Sequence, residues 1–226
     1  MGSTIGSYLK DYGFNMDFAP VADVNTNPRN PVIGSRAFSS DPQIAADCAG
    51  AAADGLRQAG IIPVFKHFPG HGDTGEDSHK KLALSNKTVD EMLECEWIPF
   101  RQAANMDCIM VGHIALPQVT GELVPATLSY SIVAGLLRQH LGFQGLILTD
   151  SMSMGAITQE HTSSEAALLA LQAGCDLILL PWDLPEAFDG VVSAVEDGSY
   201  PEYQLDATVL KILRFKLDHG IISPVQ

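Results

Sequence analysis

The chain has 226 residues, of which 46% are hydrophobic and 18% are charged, a composition that can fill a sizeable core and excludes a disordered protein. Its formal net charge of -14 makes nucleic acid and anionic membrane surfaces unfavourable partners. No apolar run is long enough to span a bilayer, and no signal peptide is visible, so a cytoplasmic location is expected. The opening Met-Gly-Ser is typical of a cloning remnant, so the native start could lie upstream.

Five short apolar runs recur along the chain, and each is continuous rather than alternating, which is typical of strands buried on both faces of a parallel sheet. The runs are MDFAPVADV (16–24), IIPVFKHF (61–68), CIMVGHIA (108–115), GLILTDSM (145–152) and DLILLP (176–181). The four cysteines lie far apart in apolar segments and are predicted to be reduced thiols in the core: Cys48, Cys95, Cys108 and Cys175.

Helix signals separate these runs. Asp41-Pro42 places a capping residue before a proline, and Gly60 closes that helix. Thr88 with Glu91, and Thr162 with Glu165, have the spacing of capping boxes, and a last helix is predicted over 205–219. No low-complexity linker interrupts the series, so residues 1–226 are predicted to form one domain.

Alternating strands and helices predict an α/β fold with parallel strands. Polar side chains collect where the strands end, which is where a (β/α)8 barrel carries its active site: Asp23, Lys66, His67, His113, Asp150 and Asp183. A doubly wound open sheet is the alternative, although the chain lacks the glycine-rich phosphate loop common in that fold. The sequence therefore favours a TIM-barrel type fold with about five of the eight β/α units.

The segment KHFPGHGDTGEDSHK (66–80) concentrates polar side chains in a glycine-rich loop after a strand. Asp77 and His79 are two residues apart and would project to one side of an extended backbone, as a carboxylate–imidazole dyad for proton transfer. Alternatively, Asp77 caps a turn and His79 is solvated. A metal site built from His67, His71, Asp77 and His79 is a further alternative.

Asp150 follows the apolar run GLILT, so its carboxylate would emerge at the carboxyl end of a strand. Two roles fit a carboxylate in this place. It could belong to the site, or it could cap the next helix.

The loop KHFPGHGDTGEDSHK resembles the signature of glycoside hydrolase family 3, in its β-N-acetylglucosaminidase branch, at every fixed position of that signature. Three further segments agree in order: DFAPVADVNTNPRNPVIGSRAFSSDP, LRQHLGFQGLILTDSMSMGAI and AGCDLILLP. The resemblance covers essentially the whole chain. It implies a (β/α)8 barrel that cleaves terminal β-linked N-acetylglucosamine with retention of configuration and without a metal or organic cofactor.

The resemblance also implies roles for single residues. Asp150 would be the nucleophile, His79 the general acid/base and Asp77 its orienting partner. Ser151 departs from the acidic residue that often follows the nucleophile, with little effect expected on the chemical step. The side chains that would hold the sugar are Arg36, Lys66 and His67, with Asp23 and His113 nearby.

Five units where the family barrel has eight indicate the C-terminal part of the catalytic domain, without three strands and an upstream sugar-binding aspartate. Water and phosphate remain alternative acceptors, so a glycoside phosphorylase with the same mechanism is an alternative function. Open sheet edges would also promote self-association, and a weakly active, self-associating fragment is the remaining alternative.

Overall fold

A computed structural model gives the fold and describes residues 1–78, 80–102 and 106–224. His79, the predicted acid/base, lies outside the described residues. The strands are short and all pairings between them are parallel. They are β1 (Met16–Asp17), β2 (Ile62–Phe68), β3 (Ala83–Leu84), β4 (Cys108–Val111), β5 (Ile114–Ala115) and β6 (Leu146–Thr149).

The main sheet has the order β1-β2-β4-β6, and Leu177 adds a parallel bridge to Leu148 beyond β6. The five predicted runs therefore lie side by side in sequence order, as in a barrel and unlike a doubly wound sheet, in which the order reverses. The first and last runs form less regular strand than predicted. The first pairs over β1 and bridges again from Val21 to Lys66, and the last contributes the bridge at Leu177.

The run 108–115 differs from its prediction as one strand. It divides into β4 and β5, because the chain leaves the main sheet at Gly112 and His113. β5 then pairs with β3 in a separate two-stranded sheet that sequence reasoning did not anticipate. This departure places His113 directly after β4, at the carboxyl edge of the main sheet.

Helices follow the strands, with their ends where the capping residues predict. The α-helices are α1 (Gly2–Asp11), α2 (Pro42–Gln58), α3 (Val89–Glu94), α4 (Ile98–Gln102), α5 (Pro117–Thr120), α6 (Gly155–Thr158), α7 (Ser163–Ala173), α8 (Leu184–Glu196) and α9 (Glu202–Asp218). A π-helix covers Ser131–His140, and 3-10 turns cover Gly34–Arg36 and Ala126–Leu128.

The predicted capping signals are confirmed. The Asp41 carboxylate accepts from the first turn of α2, and both predicted boxes, at Thr88 and at Thr162, form reciprocal hydrogen bonds. Asp183 caps α8 by accepting from Glu186 N, so this strand-end carboxylate has a structural role. The last helix begins three residues before the predicted position and ends one residue earlier.

Both faces of the sheet are buried, as continuous apolar runs predict. Side chains alternate along each strand: Phe65 and Ile109 pack against the helices, whereas Val64 and Met110 point to the opposite face. The second face is covered from α9, through partly buried Ile212 and Phe215. All four cysteines are free thiols, and Cys108 and Cys175 are buried as predicted, whereas Cys48 and Cys95 are only partly buried.

Candidate active site

Polar side chains meet at the carboxyl edge of the main sheet. Lys66 and His67 lie at the end of β2, His113 follows β4, and Asp150 follows β6. The Val21–Lys66 bridge brings Asp23 to the same edge, and Asp150 N donates to Val111 O at 2.8 Å. Parallel pairing in sequence order therefore gathers residues that are up to 127 positions apart in the chain.

Asp23 is fully buried and organises the end of β2. Its Oδ2 lies 2.7 Å from His67 Nδ1, and its Oδ1 accepts from His71 N at 2.7 Å. Burial would raise the pKa of Asp23, but His67 and His71 more than offset this effect, so the pKa lies below its usual range. An ionised Asp23 can only accept, so His67 Nδ1 carries the hydrogen of this bond, and Nε2 is the nitrogen without a hydrogen bond to the described residues.

Asp150 is half-buried at the point where β6 ends. Burial would raise the pKa of Asp150, but His67, His113, Ser151 N–H and Lys66 together lower it, so the group is a carboxylate at neutral pH. Its Oδ1 accepts from Ser151 N at 2.8 Å. Its Oδ2 makes no hydrogen bond to the part of the chain that the structure describes, so this oxygen is the one available to a bound molecule.

Asp150 does not cap the next helix, which was the alternative role for it. α6 begins at Gly155 with Met154 as its N-cap residue, and no side chain caps it.

Lys66 adds positive charge beside the carboxylate. Burial and the neighbouring Arg36 lower the pKa of Lys66, while Asp150, Asp17 and Asp23 oppose this shift. Arg36 is exposed in a 3-10 turn, and its guanidinium donates only a long bond, 3.4 Å, to Val32 O within the described chain. Both cations therefore retain donors for a polar molecule such as a sugar hydroxyl.

His71 and His113 are buried, and both nitrogens of each ring are already engaged. His71 contacts the Thr74 hydroxyl at 2.6 Å and the Ser78 hydroxyl at 2.8 Å. His113 contacts Thr127 Oγ1 at 2.6 Å and Ser151 O at 2.9 Å. Burial lowers the pKa of both histidines. Of the predicted sugar-binding residues, Asp23, His67 and His113 are thus buried, whereas Lys66 is half-buried and Arg36 is exposed.

The loop after β2 is fixed at its base by Asn30. The Asn30 amide nitrogen donates to His71 O at 2.7 Å and Thr74 O at 3.0 Å, while its oxygen accepts from Ile33 N at 2.7 Å. Gly72 approaches so closely that a Cβ there would lie 1.8 Å from Val24 O. This close approach explains why the loop needs a glycine at that position.

The far end of the loop carries the predicted dyad. Asp77 is partly exposed, its carbonyl accepts from Lys80 N at 2.9 Å, and its carboxylate lies 3.9 Å from Lys80 Nζ. Ser78 O accepts from Ala156 N at 3.4 Å, which joins this part of the loop to α6. Because His79 is outside the described residues, its pairing with Asp77 stays a prediction.

The chain matches the model of the glycosyl hydrolase family 3 N terminal domain over residues 1–215. It belongs to glycoside hydrolase family 3. The resemblance inferred from the signature loop is thereby confirmed, as is the TIM-barrel type of its parallel α/β fold.

Relatives and solved structures agree with this family. The chain is 38% identical to beta-hexosaminidase LpqI of Mycobacterium tuberculosis over 223 residues, covering 93% of this chain and 56% of LpqI. A family 3 beta-N-acetylglucosaminidase from Paenibacillus sp. superposes with a TM-score of 0.95 at 38% identity, over 100% of this chain and 44% of that one. The beta-glucoside phosphorylase BglX superposes with a TM-score of 0.93 at 28% identity, over 97% of this chain and 41% of BglX. The chain thus spans about half the length of these family 3 proteins.

Metal ligands and membrane-spanning helices concern the remaining predictions. Within residues 1–78, 80–102 and 106–224, no group of three or more His, Cys, Asp or Glu side chains is arranged to hold a metal ion. The alternative metal set included His79, which lies outside these residues. In the same residues, no helix combines the length and the apolar character needed to cross a membrane.

Sequence reasoning missed the residues that hold this family 3 site in place. Asn30, Thr74 and Thr127 have no catalytic chemistry of their own, and their partners are up to 44 positions away. The segment NPRNPVIG, rich in asparagine and proline, was the available signal for a structured loop at Asn30.

Proposed function

We propose that this chain is the catalytic part of a retaining exo-β-N-acetylglucosaminidase that removes terminal β-linked N-acetylglucosamine. One observation carries the proposal: a carboxylate at the carboxyl end of β6, kept ionised beside His67 and Lys66, with one oxygen tied and the other available. The names of the relatives support N-acetylglucosamine as the sugar that is removed. Since those relatives are about twice as long, activity of this chain by itself is part of the proposal.

Asp150 acts as the nucleophile in the proposed reaction. Its Oδ2 attacks the anomeric carbon, the bond to the leaving oxygen breaks, and a glycosyl-enzyme ester forms. The nearby cationic groups stabilise the carboxylate form needed for this attack, and a bound sugar would be held by Lys66, His67 and Arg36. Most retaining enzymes use a second carboxyl group as the acid/base.

His79 takes that second role in the proposal, with Asp77 as its orienting partner. Imidazole titrates near neutral pH, so it can protonate the leaving oxygen and then remove a proton from the incoming water. Attack of that water at the anomeric carbon releases N-acetylglucosamine and restores the Asp150 carboxylate. Muropeptides and chitooligosaccharides are the proposed natural sources of the sugar.

A phosphorylase is the second candidate, and the likeness to BglX favours it. A histidine acid/base repels a phosphate acceptor less than a second carboxylate does. The ester on Asp150 would then be opened by phosphate, and the product would be a sugar 1-phosphate rather than the free sugar.

An aryl N-acetylglucosaminide assay with and without phosphate separates the two candidates by their products. In parallel, a fluorinated N-acetylglucosaminide that traps the ester should label Asp150, as read by peptide mass spectrometry. Labelling of another carboxylate would remove the nucleophile assignment. A folded chain that neither turns over the substrate nor becomes labelled would contradict the proposed activity.

Self-association through the sheet edges is also part of the proposal. Beyond β6, exposed apolar side chains recur every four residues along α8, at Leu184 (65% exposed), Phe188 (65%) and Val192 (38%). Leu180 and Trp182 extend this surface, and Phe18 is exposed beside β1 at the opposite edge. Exposed apolar stripes beside strand edges promote association, and we expect a second copy of the chain to cover them.

Light scattering over a concentration series tests this expectation. The parent chain should show a mass that rises with concentration, and Phe188→Ser should reduce that rise. Tyr203→Ser is a matched control, since Tyr203 is exposed but belongs to α9 rather than α8. A parent that stays monomeric at all concentrations contradicts self-association.

A further inference from the structure

His113 and Thr127 form a fully buried pair directly behind the proposed nucleophile. Both side chains have 0% exposure. His113 Nε2 lies 2.9 Å from Ser151 O, and Nδ1 lies 2.6 Å from Thr127 Oγ1. The pair therefore cannot touch a sugar directly, but it contacts the residue that follows Asp150.

We propose that His113, held at Nδ1 by the Thr127 hydroxyl, is a positioning residue that fixes the carboxylate of Asp150 through Ser151. This inference rests on the proposed function, because it assumes that Asp150 is the nucleophile. It assigns His113 a role different from the sugar contact expected from the sequence, and it adds Thr127 to the residues on which the reaction depends.

The hydrogen-bond chemistry determines the tautomer. A carbonyl oxygen can only accept, so His113 Nε2 carries the hydrogen that it shares with Ser151 O. In the neutral ring Nδ1 is then an acceptor, and the Thr127 hydroxyl donates to it. Thr127 Oγ1 also lies 3.0 Å from Gly112 O, and its single hydrogen can serve only one of the two acceptors. Burial lowers the pKa of His113, consistent with the neutral ring.

Ser151 transmits this constraint to Asp150. Its carbonyl is held by His113 Nε2 and by Met154 N at 3.1 Å, while its N–H donates to Asp150 Oδ1 at 2.8 Å. A displaced Ser151 would release Oδ1 and allow the carboxylate to turn. The direction in which Oδ2 points toward an anomeric carbon therefore depends on the hydrogen bond between His113 Nε2 and Ser151 O. Attack requires close alignment of the reacting atoms, so a small rotation is expected to slow it.

Thr127→Val and Thr127→Ser form a matched pair for the test. Valine has nearly the same shape but removes the donor to Nδ1, whereas serine retains it. For Thr127→Val we expect kcat on an aryl N-acetylglucosaminide, and the rate of trapping by the fluorinated sugar, to fall on the order of 10- to 100-fold with KM unchanged. Thr127→Ser is expected to recover most of the rate. If Thr127 served folding alone, its replacement would not lower kcat per folded molecule while leaving KM unchanged.

The outcomes separate the two proposals. If the parent is labelled at Asp150 and Thr127→Val is labelled at the same rate, the positioning role is wrong and the nucleophile stands. If the parent is labelled elsewhere or not at all, both proposals fail. If a variant does not fold, the proposal can still be tested on the parent chain without measuring turnover. The imidazole ¹⁵N spectrum of the parent should show His113 protonated at Nε2 and unprotonated at Nδ1. The opposite tautomer would overturn the inference.

Discussion

Charged side chains gather at both ends of the parallel sheet, but the two ends use them differently. At the amino end, Asp176 Oδ2 accepts from Arg138 Nη2 at 2.5 Å, Lys211 Nζ at 2.9 Å and Ile147 N at 2.7 Å. Arg138 and Lys211 also donate to Gly145 O. This cluster links the π-helix, α9 and the start of β6, and its donors form hydrogen bonds within the chain.

At the carboxyl end, the charges are only partly engaged. Asp23 is saturated by donors, but within the residues that the structure describes Asp150 keeps Oδ2 available, and Lys66 and Arg36 keep donors. Burial and ionic contact are thus common to both ends, and neither identifies a site by itself. What distinguishes the candidate active site is hydrogen-bonding capacity that the fold leaves unused, and replacing residues at each end can test this distinction.

Asp150→Asn should have the largest effect, and this effect should be on catalysis far more than on stability. Losing the nucleophile is expected to lower kcat on the order of 10⁴-fold or more. Stability should fall modestly, because the neighbours that lower the pKa of Asp150 in the folded state favour its carboxylate over a neutral amide. Steady-state kinetics and urea denaturation on the same preparation check both parts. A variant that loses stability but keeps its turnover per folded molecule would place Asp150 with Asp176 as a structural residue.

His79→Ala should have the next largest effect, and the size should depend on the leaving group. General acid/base catalysis contributes on the order of 10²- to 10⁴-fold. Substrates with poor leaving groups should lose most of this, whereas activated aryl glycosides, which need little protonation, should lose far less. A series of aryl glycosides of graded leaving-group pKa measures the difference. Equal losses across the series would indicate a structural role for His79.

Asp176→Asn should show the opposite behaviour to Asp150→Asn. It leaves the Arg138 and Lys211 charges without their carboxylate, and Lys211 is only one-third exposed. We expect the free energy of unfolding to fall by about 3 kcal/mol, with kcat per folded molecule unchanged.

Asp107→Asn is the matched control for Asp176. Asp107 pairs with Arg57 at 3.0 Å at the same end of the sheet, but both side chains are about 30% exposed. Replacing Asp107 should lower the free energy of unfolding by less than about 1 kcal/mol. Urea denaturation at neutral pH measures both variants. Equal losses would show that burial does not govern the strength of these pairs.

The sequence predicted the features that depend on neighbouring residues. Capping boxes at Thr88 and Thr162 and the buried strands follow from local spacing and composition, and each is confirmed. The gathering of Lys66, His67 and Asp150 at one edge also followed, because parallel strands in sequence order bring their carboxyl ends together. These inferences need no knowledge of which distant side chains touch.

Contacts between distant residues could not be predicted in this way. His67 forms a hydrogen bond with Asp23, which is 44 positions away in the chain. His113 contacts Thr127 and Ser151 because the chain leaves the sheet at Gly112. A histidine at a strand end has the same local pattern whether it faces a cleft or is enclosed. For His113, the choice between these cases depends on how the 3-10 turn Ala126–Leu128 and the segment after β6 pack around the ring.

The smallest expected effect concerns the buried histidines, which the structure places at the carboxyl end of the sheet. Burial lowers the folded-state pKa of His71, so on acidification the unfolded chain takes up the proton first. Stability should therefore fall as the pH drops from about 6.5 toward the folded pKa, by at most about 1.4 kcal/mol per pH unit for one histidine. His71→Gln retains polar contacts for Thr74 and Ser78 without titrating, so it should reduce this slope. His140→Gln, at an exposed position, is the control. Urea midpoints at several pH values between 5 and 7 measure the slopes, and an unchanged slope in His71→Gln would show that the pH response arises elsewhere in the fold.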